Sequence, residues 1–271
     1  PGSLTYGEII IPGKSAAEIL LSTYICHPSM ANNELSGPTV LTYLCKWLEK
    51  LSDREFTYRI VFIPETIGAI AYCKNNEKIM KKIDIGLVIS TVGGPGRFTL
   101  KKSWNEEHYI NNTAEKILRN KSSNFKSERF NIHGSDERQF SSQAFRINTI
   151  TISKSKYYDY KEYHTSLDNL GFMNMKYILK SFKIYKAIIK ELEEIKIYVS
   201  NKQYCEPMLS KYNLYPKVGG LIRPKIGKAS SLDIILWLIF LCDGNTTVEQ
   251  ISKKIGIDKK DINKIIKILI N

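Results

Sequence analysis

The stretch Ser22-Thr23-Tyr24-Ile25-Cys26-His27-Pro28-Ser29-Met30-Ala31-Asn32-Asn33-Glu34-Leu35-Ser36-Gly37-Pro38 decides the fold. Just upstream, residues 18–25 make an apolar run of strand length that reads as a buried strand. Downstream, residues 39–51 set Val40, Leu44, Trp47, Leu48 and Leu51 at helical spacing, the pattern of an amphipathic helix. Between them lies a turn with a histidine, a carboxylate and two amides. In an open α/β sheet, ligands collect in the crevice outside the carboxyl ends of the strands. His27 stands at such an end, and Glu34 stands near the start of the helix that follows. The turn reads either as a corner that holds a metal or as a capped strand-to-helix connection with an incidental histidine.

Working outward, further strands are expected at 6–11, 56–63, 85–92 and 147–153, with a short edge strand at 97–102. Helices are expected at 69–83, 106–120 and 173–199, and residues 121–143 read as a polar loop. Strands alternating with helices of this length argue for an α/β sheet domain over 1–200. Residues 201–228 carry Pro207, Pro216, Gly219, Gly220, Pro224 and Gly227 and read as a linker. Over 229–271 the pattern gives three short helices, at 232–242, 247–255 and 259–270, separated by Asp243-Gly244-Asn245 and Gly256-Ile257-Asp258. Thr246 or Thr247 is placed to cap the second of them.

The 271 residues carry 40 Lys and Arg against 27 Asp and Glu, a net charge of +13 that raises the question of nucleic acid. Lysine dominates the positive charge and is spread along nearly every helix, in a chain rich in Ile and Asn. We read this as compositional bias rather than as a binding footprint. Cys26, Cys45, Cys73, Cys205 and Cys242 are odd in number, make no Cys-x-x-Cys pair and mostly lie in apolar runs. Buried thiols in a reducing compartment are expected, not disulfides. The most apolar run, 234–242, is too short to span a bilayer, so a cytoplasmic protein without membrane contact is expected.

Four separated turns supply the chemistry: His27 with Glu34, then Glu65, then Asp136 with Glu137, then His164 with Asp168. If the strands before them are parallel neighbours, these turns share one rim. Two histidines and a carboxylate suffice to hold zinc with a position left open. A further glutamate can take a proton from water and pass it to a leaving amine. Cys26 precedes His27 at the end of a strand, where neighbouring residues point to opposite faces, so it is expected to face the core. His133 reads as a surface residue and His108 as a solvated or packing residue of a helix. Arg138 and the run Tyr157-Tyr158-Asp159-Tyr160 read either as the lining of a substrate cleft or, in preference, as an ordinary ordered loop.

The order of the His27 turn, Pro64-Glu65-Thr66-Ile67-Gly68, Gly134-Ser135-Asp136-Glu137 and Tyr163-His164-Thr165-Ser166-Leu167-Asp168-Asn169 resembles the zinc aminopeptidase/glutaminyl cyclase superfamily. It is most similar to bacterial aminopeptidase-like domain proteins, often encoded among polysaccharide-biosynthesis genes, that end in a winged helix. The resemblance implies a three-layer α/β sandwich with a mixed, mostly parallel sheet, plus a small C-terminal all-α winged-helix-like module. It also implies a substantial segment before the part that matches residue 4. His27 matches the first metal histidine, His164 the last, and Glu65 the general base. Asp136 matches an aspartate of the active-site hydrogen-bond network.

This chain departs from the superfamily's two-metal pattern at three carboxylates: the bridging aspartate falls at Asn33, the second metal glutamate at Thr66 and a later metal aspartate near Thr91. Amides and hydroxyls cannot offset the charge of a second Zn²⁺. The expectation is therefore one zinc ion on His27, His164 and Glu34 (or Asp136), with a metal-free site as the other reading. Glu65 and Asp136 are the expected catalytic residues; Asn33, Arg138 and Tyr163 are expected to contact a small peptide or amide-containing substrate. The alternatives are a catalytically silent binding scaffold and a regulator acting through the C-terminal module. Lys259, Lys260, Lys264 and Lys267 suit phosphates, but 259–270 lacks Arg, Gln and Ser for base readout. A protein partner is therefore favoured over sequence-specific DNA.

Overall fold

A computed structural model describes residues 2–202, 204–215 and 230–270, in two compact units, Pro1–Glu193 and Glu194–Asn271. The first unit contains β1 (Gly7–Ile11), β2 (Glu18–Tyr24), α1 (Ser36–Glu49), β3 (Thr57–Ile63), α2 (Ile67–Asn75), α3 (Glu77–Met80) and β4 (Ile85–Val88). It continues with β5 (Phe98–Lys101), α4 (Tyr109–Lys121), β6 (Phe125–Glu128), α5 (Glu137–Phe140), β7 (Asn148–Lys154) and α6 (Met175–Glu194). The second unit contains β8 (Ile197–Val199), α7 (Ser231–Leu241), β9 (Asp243–Thr247), α8 (Val248–Ile255) and α9 (Lys259–Ile270).

The strands of the first unit form one seven-stranded sheet in the order β1-β3-β2-β4-β7-β5-β6. β3, β2, β4 and β7 are parallel neighbours, so their carboxyl ends share one rim. β1 and β5 run antiparallel to β3 and β7, and β6 pairs parallel with β5. This is the mixed, mostly parallel sheet with flanking helices that was expected. β2 is buried on both faces, as a central parallel strand should be. Leu20 joins a core with Val61, Ala69, Tyr72, Met80, Val88 and Phe140, built from strands and from α2, α3 and α5. Its neighbours Ile19 and Leu21 point the other way and are equally buried. Each such aliphatic side chain contributes roughly 1.5–3 kcal/mol by leaving water. Arg59 on β3, itself buried, ties Glu8 of β1 and Glu18 of β2 together.

Three differences from the sequence reading stand out. The helix after the His27 turn begins early: Ala31–Leu35 is a π-helical turn running straight into α1. Gly37 allows this, because a Cβ there would meet the Ile89 carbonyl oxygen and Thr23 Oγ1, each at 2.4 Å. The loop expected at 121–143 contains β6, an edge strand with both faces partly exposed and so without an apolar alternation to reveal it. The third difference lies in the second unit. Asp243-Gly244-Asn245 reads as a turn but opens β9, which pairs antiparallel with β8. β8 in turn falls in a segment expected to be the end of a helix. The second unit therefore carries a small sheet beside its helices. Of the expected linker, Leu209–Tyr212 forms a 3-10 turn, while 203 and 216–228 lie outside the described residues.

Candidate active site

The rim places His27 after β2, Glu65 after β3 and Thr91 after β4, and His164 follows in the loop beyond β7. β2 pairs with β3 as far as Tyr24, and the Ile25 amide still donates to the Ile63 carbonyl (3.0 Å). There the strand ends, and the alternation that would have turned Cys26 inward ends with it. Cys26 is exposed, not in the core, and its Sγ lies 3.4 Å from His27 Nδ1.

Glu34 reaches back across the turn. One carboxylate oxygen, Oε2, accepts the backbone N–H of both Cys26 (3.1 Å) and His27 (2.7 Å) and stands 3.4 Å from His27 Nδ1. The donor atoms of Cys26, His27 and Glu34 lie within 4.8 Å of one another. His27 Nε2 faces Glu65 Oε2 at 3.6 Å. The His164 ring stands over that of His27 with centroids 5.3 Å apart, and Tyr163 stacks on His164 at 3.9 Å. Hydrogen bonding to Glu34 raises the pKa of His27, whereas burial and the neighbouring His27 lower that of His164.

Asp136 is buried at the N-terminus of α5, and its Oδ1 accepts the Thr66 amide at 2.7 Å, immediately beside Glu65. Its Oδ2 is buried with no partner among the described residues. Burial foremost, with Glu65 and Glu137 nearby, pushes its pKa up to about 7, so near neutral pH the carboxyl retains a proton in part of the population. Glu137 is wholly buried and ion-paired with Lys101 Nζ at 2.6 Å; it also accepts the Ser135 amide (3.2 Å) and the Thr151 hydroxyl (3.3 Å). Gly134, at φ +142°, is needed here, because a Cβ would meet Glu137 Oε1 at 2.2 Å.

The remaining candidates divide. Asn33 is turned inward: its Oδ1 accepts the Tyr24 hydroxyl at 2.7 Å. Arg138 is exposed and directs Nη1 to the Ile132 carbonyl at 3.3 Å. His133 is exposed; its carbonyl, not its ring, takes the Lys101 ammonium. His108 caps α4, accepting the Ile110 amide on Nδ1, while Nε2 meets Asp84 at 3.0 Å. From the sequence Asp168 reads only as a companion of His164, and it does more. Buried, it accepts the amides of Asn32 (2.6 Å) and Asn33 (3.0 Å) and the Tyr160 hydroxyl (3.1 Å), tying the His164 loop to the π-helical turn. The available signal was its place four residues after His164. Thr66, Thr91 and His164 all hold left-handed backbone, at φ 61°, 50° and 56°. Such conformations in non-glycine residues cluster at functional sites.

The family profile described as a domain of unknown function, DUF4910, matches residues 1–195, and a winged helix-turn-helix profile matches residues 196–271. The chain belongs to the DUF4910 family. A Clostridium acetobutylicum protein, named as an inferred polysaccharide biosynthesis protein with an aminopeptidase-like domain, is 37% identical over 263 residues. That match covers 96% of this DUF4910 chain and 59% of the relative, so the chain spans little more than half the relative's length. A crystal structure of an inferred peptidase from the same organism is 34% identical with a TM-score of 0.71, covering 97% of this chain and 58% of the other. At 14% identity the fold alone is shared with BSAP, a zinc aminopeptidase of Bacillus subtilis (TM-score 0.58; 68% and 49% covered). It is likewise shared with a glutaminyl cyclase of an Acidobacteriales bacterium (TM-score 0.60; 70% and 74% covered, 14% identical). The aminopeptidase/glutaminyl cyclase fold and the C-terminal winged helix expected from the motifs are thus present. No helix among the described residues is long and apolar enough to cross a membrane.

Proposed function

We propose that the DUF4910 unit is a single-zinc hydrolase of amide or peptide bonds. The observation that carries this is the meeting of His27, Glu34, Glu65 and His164 at one rim, from three separate loops. The donor types suit zinc, and His27 and Glu34 stand at ligand spacing, with the His164 ring centroid 5.3 Å from that of His27. Ligands at about 2.0–2.3 Å from one tetrahedral ion lie roughly 3–4 Å from each other, and Glu34 Oε2 stands 3.4 Å from His27 Nδ1. Two carboxylates beside two imidazoles supply the negative charge a divalent cation requires. His27, Glu34 and His164 would hold it, and it would supply Lewis acidity toward a scissile carbonyl.

Glu65, half-buried and beside His27, is the base that removes the proton of the attacking water and then delivers it to the leaving amine. Asp136 does not reach the reactants in this reading. It holds the Thr66 amide and thereby fixes the backbone that carries Glu65. Tyr163, flat against His164, offers an aromatic wall for a substrate side chain. A small peptide or other amide-containing compound fits this chemistry; the C. acetobutylicum relative's name makes an amide on a glycan precursor a reasonable member of the screen.

A second reading, a silent binding scaffold, draws on the inward turn of Asn33 and on the threonines at 66 and 91. For the winged helix we favour a protein partner over duplex DNA, since Lys259 and Lys264 are already paired with Glu249 and Asp261.

Metal content of the purified chain by mass spectrometry, with an amide-substrate screen, separates these readings. We expect about one zinc ion per chain, lost in His27→Ala and in His164→Ala. Glu65→Gln should keep the ion while lowering turnover about 10²–10⁴-fold. Two ions per chain, none after soaking in zinc, or full turnover in Glu65→Gln would overturn the proposal.

A further inference from the structure

We infer that Cys26 is a further ligand of the metal site, binding the cation through its thiolate sulfur; the inference rests on the single-metal reading above and deepens it. The sulfur lies 3.4 Å from His27 Nδ1, and the Glu34 carboxylate oxygen lies 3.4 Å from the same nitrogen. Three donors of three kinds thus converge on one point.

The thiol and the Glu34 carboxylate share Nδ1, as ligands gathered round one ion do, while the Glu65 carboxylate faces the opposite nitrogen, Nε2, at 3.6 Å.

The surroundings of the sulfur agree. The Glu65 backbone N–H donates to Cys26 Sγ at 3.1 Å, so the sulfur already serves as an acceptor. Amide-to-sulfur bonds of this kind orient and stabilise a metal-bound thiolate, as outer-shell hydrogen bonds do for ligands generally. The bond also makes the two strand ends one unit: the amide that steadies the sulfur belongs to the residue whose carboxylate faces His27. Glu34 fixes the loop from the other side by accepting the amides of Cys26 and His27.

On binding, the S–H bond breaks, its proton passes to solvent, and the sulfur lone pair bonds to the cation; nothing is oxidised or reduced. A thiolate in the set selects for borderline-soft cations such as Zn²⁺ or Co²⁺ over Mg²⁺ or Ca²⁺.

Cobalt reports the ligand directly. Titrating the metal-free full chain with Co²⁺ should give a near-ultraviolet sulfur-to-cobalt charge-transfer band beside the visible bands of a four-coordinate ion. Cys26→Ser should abolish the charge-transfer band and weaken zinc binding by at least the 10–100-fold that loss of an outer-shell partner costs. Cys205→Ser, a change at the other exposed cysteine, should leave the band unchanged. Cobalt bound by the wild-type chain without that band, or a band that survives in Cys26→Ser, overturns the inference while leaving the single-metal reading intact. No uptake of cobalt or zinc overturns both. The wild-type spectrum alone decides the matter should Cys26→Ser fold poorly.

Discussion

Two acidic turns of the first unit can be set side by side: Cys26 to Glu34, and His133 to Glu137. In the first, Glu34 is partly accessible and its carboxylate stands against an imidazole and a thiol. In the second, Glu137 is wholly buried and consumed by Lys101, Ser135 and Thr151, and Asp136 is buried beside it with a raised pKa. The sequence gives both turns a histidine and a carboxylate, yet only one keeps its charges facing outward. The difference lies in what backs each turn. The second rests on Lys101, a cation from β5 that neutralises Glu137 from within. The first rests on Asp168, which accepts the backbone amides of Asn32 and Asn33 and leaves the Glu34 carboxylate partly accessible.

The largest effect should come from removing that inner cation. Lys101→Met leaves Glu137 as an unpaired buried carboxylate and should cost about 3–5 kcal/mol in denaturant unfolding. The double variant Lys101→Met/Glu137→Gln should recover much of the loss. If the single variant is as stable as wild type, the second turn is not built on this pair.

The next effect is a pH dependence of the metal-free protein. Asp136 has a folded-state pKa of about 7, above its ordinary value of 3.8. Its contribution to stability is therefore fully present below about pH 4 and is lost as pH rises through about 7. Asp136→Asn keeps an acceptor for the Thr66 amide and cannot ionise. Relative to wild type it should gain up to about 4 kcal/mol across that window. Parallel stability–pH curves for the two proteins, recorded with a chelator present, would contradict the assigned cause.

The smallest effect tests the first turn. Asp168→Asn replaces one acceptor with an amide that faces the backbone N–H of Asn32 or Asn33, at a cost of about 1–3 kcal/mol. Because the His164 loop is thereby loosened from the His27 turn, zinc affinity should also fall, by about 10–100-fold. Stability lost without any change in zinc affinity would make Asp168 a fold residue only.

Much of this arrangement was legible from residues alone, because the signals were local. The apolar run before His27 and the helical spacing after it gave β2 and α1, and the ends of β3 and β7 followed from the same pattern. Parallel neighbours put those ends on one rim, and with them His27 and Glu65. What escaped depended on partners distant in sequence. Cys26 was placed by alternation, which fails one residue past the last ladder bond. Asp168 looks like a loop aspartate until Asn32 and Asn33 arrive with their amides. β9 has the composition of a turn and becomes a strand only because β8 lies beside it. Arg138, expected at a substrate, is exposed and sends one Nη1 hydrogen bond to the Ile132 carbonyl of its own loop.

The close grouping of Cys26, His27 and Glu34 in a single turn also bears on how the chain acquires its structure. These donors are near one another along the backbone, whereas His164 follows β7, whose Asn148 must first find Ile85 of β4. Long-range parallel pairing forms slowly, since the entropy of closing the intervening loop is lost before the contact repays it. On the proposed single-zinc reading, a cation present during refolding would meet a partial set of ligands on a chain whose sheet is still incomplete. Affinity for that unfinished state subtracts from the stabilisation the ion gives the native one. Zinc should raise the melting temperature by less than its native-state affinity implies, and high zinc should slow refolding by holding the early turn before its last imidazole arrives.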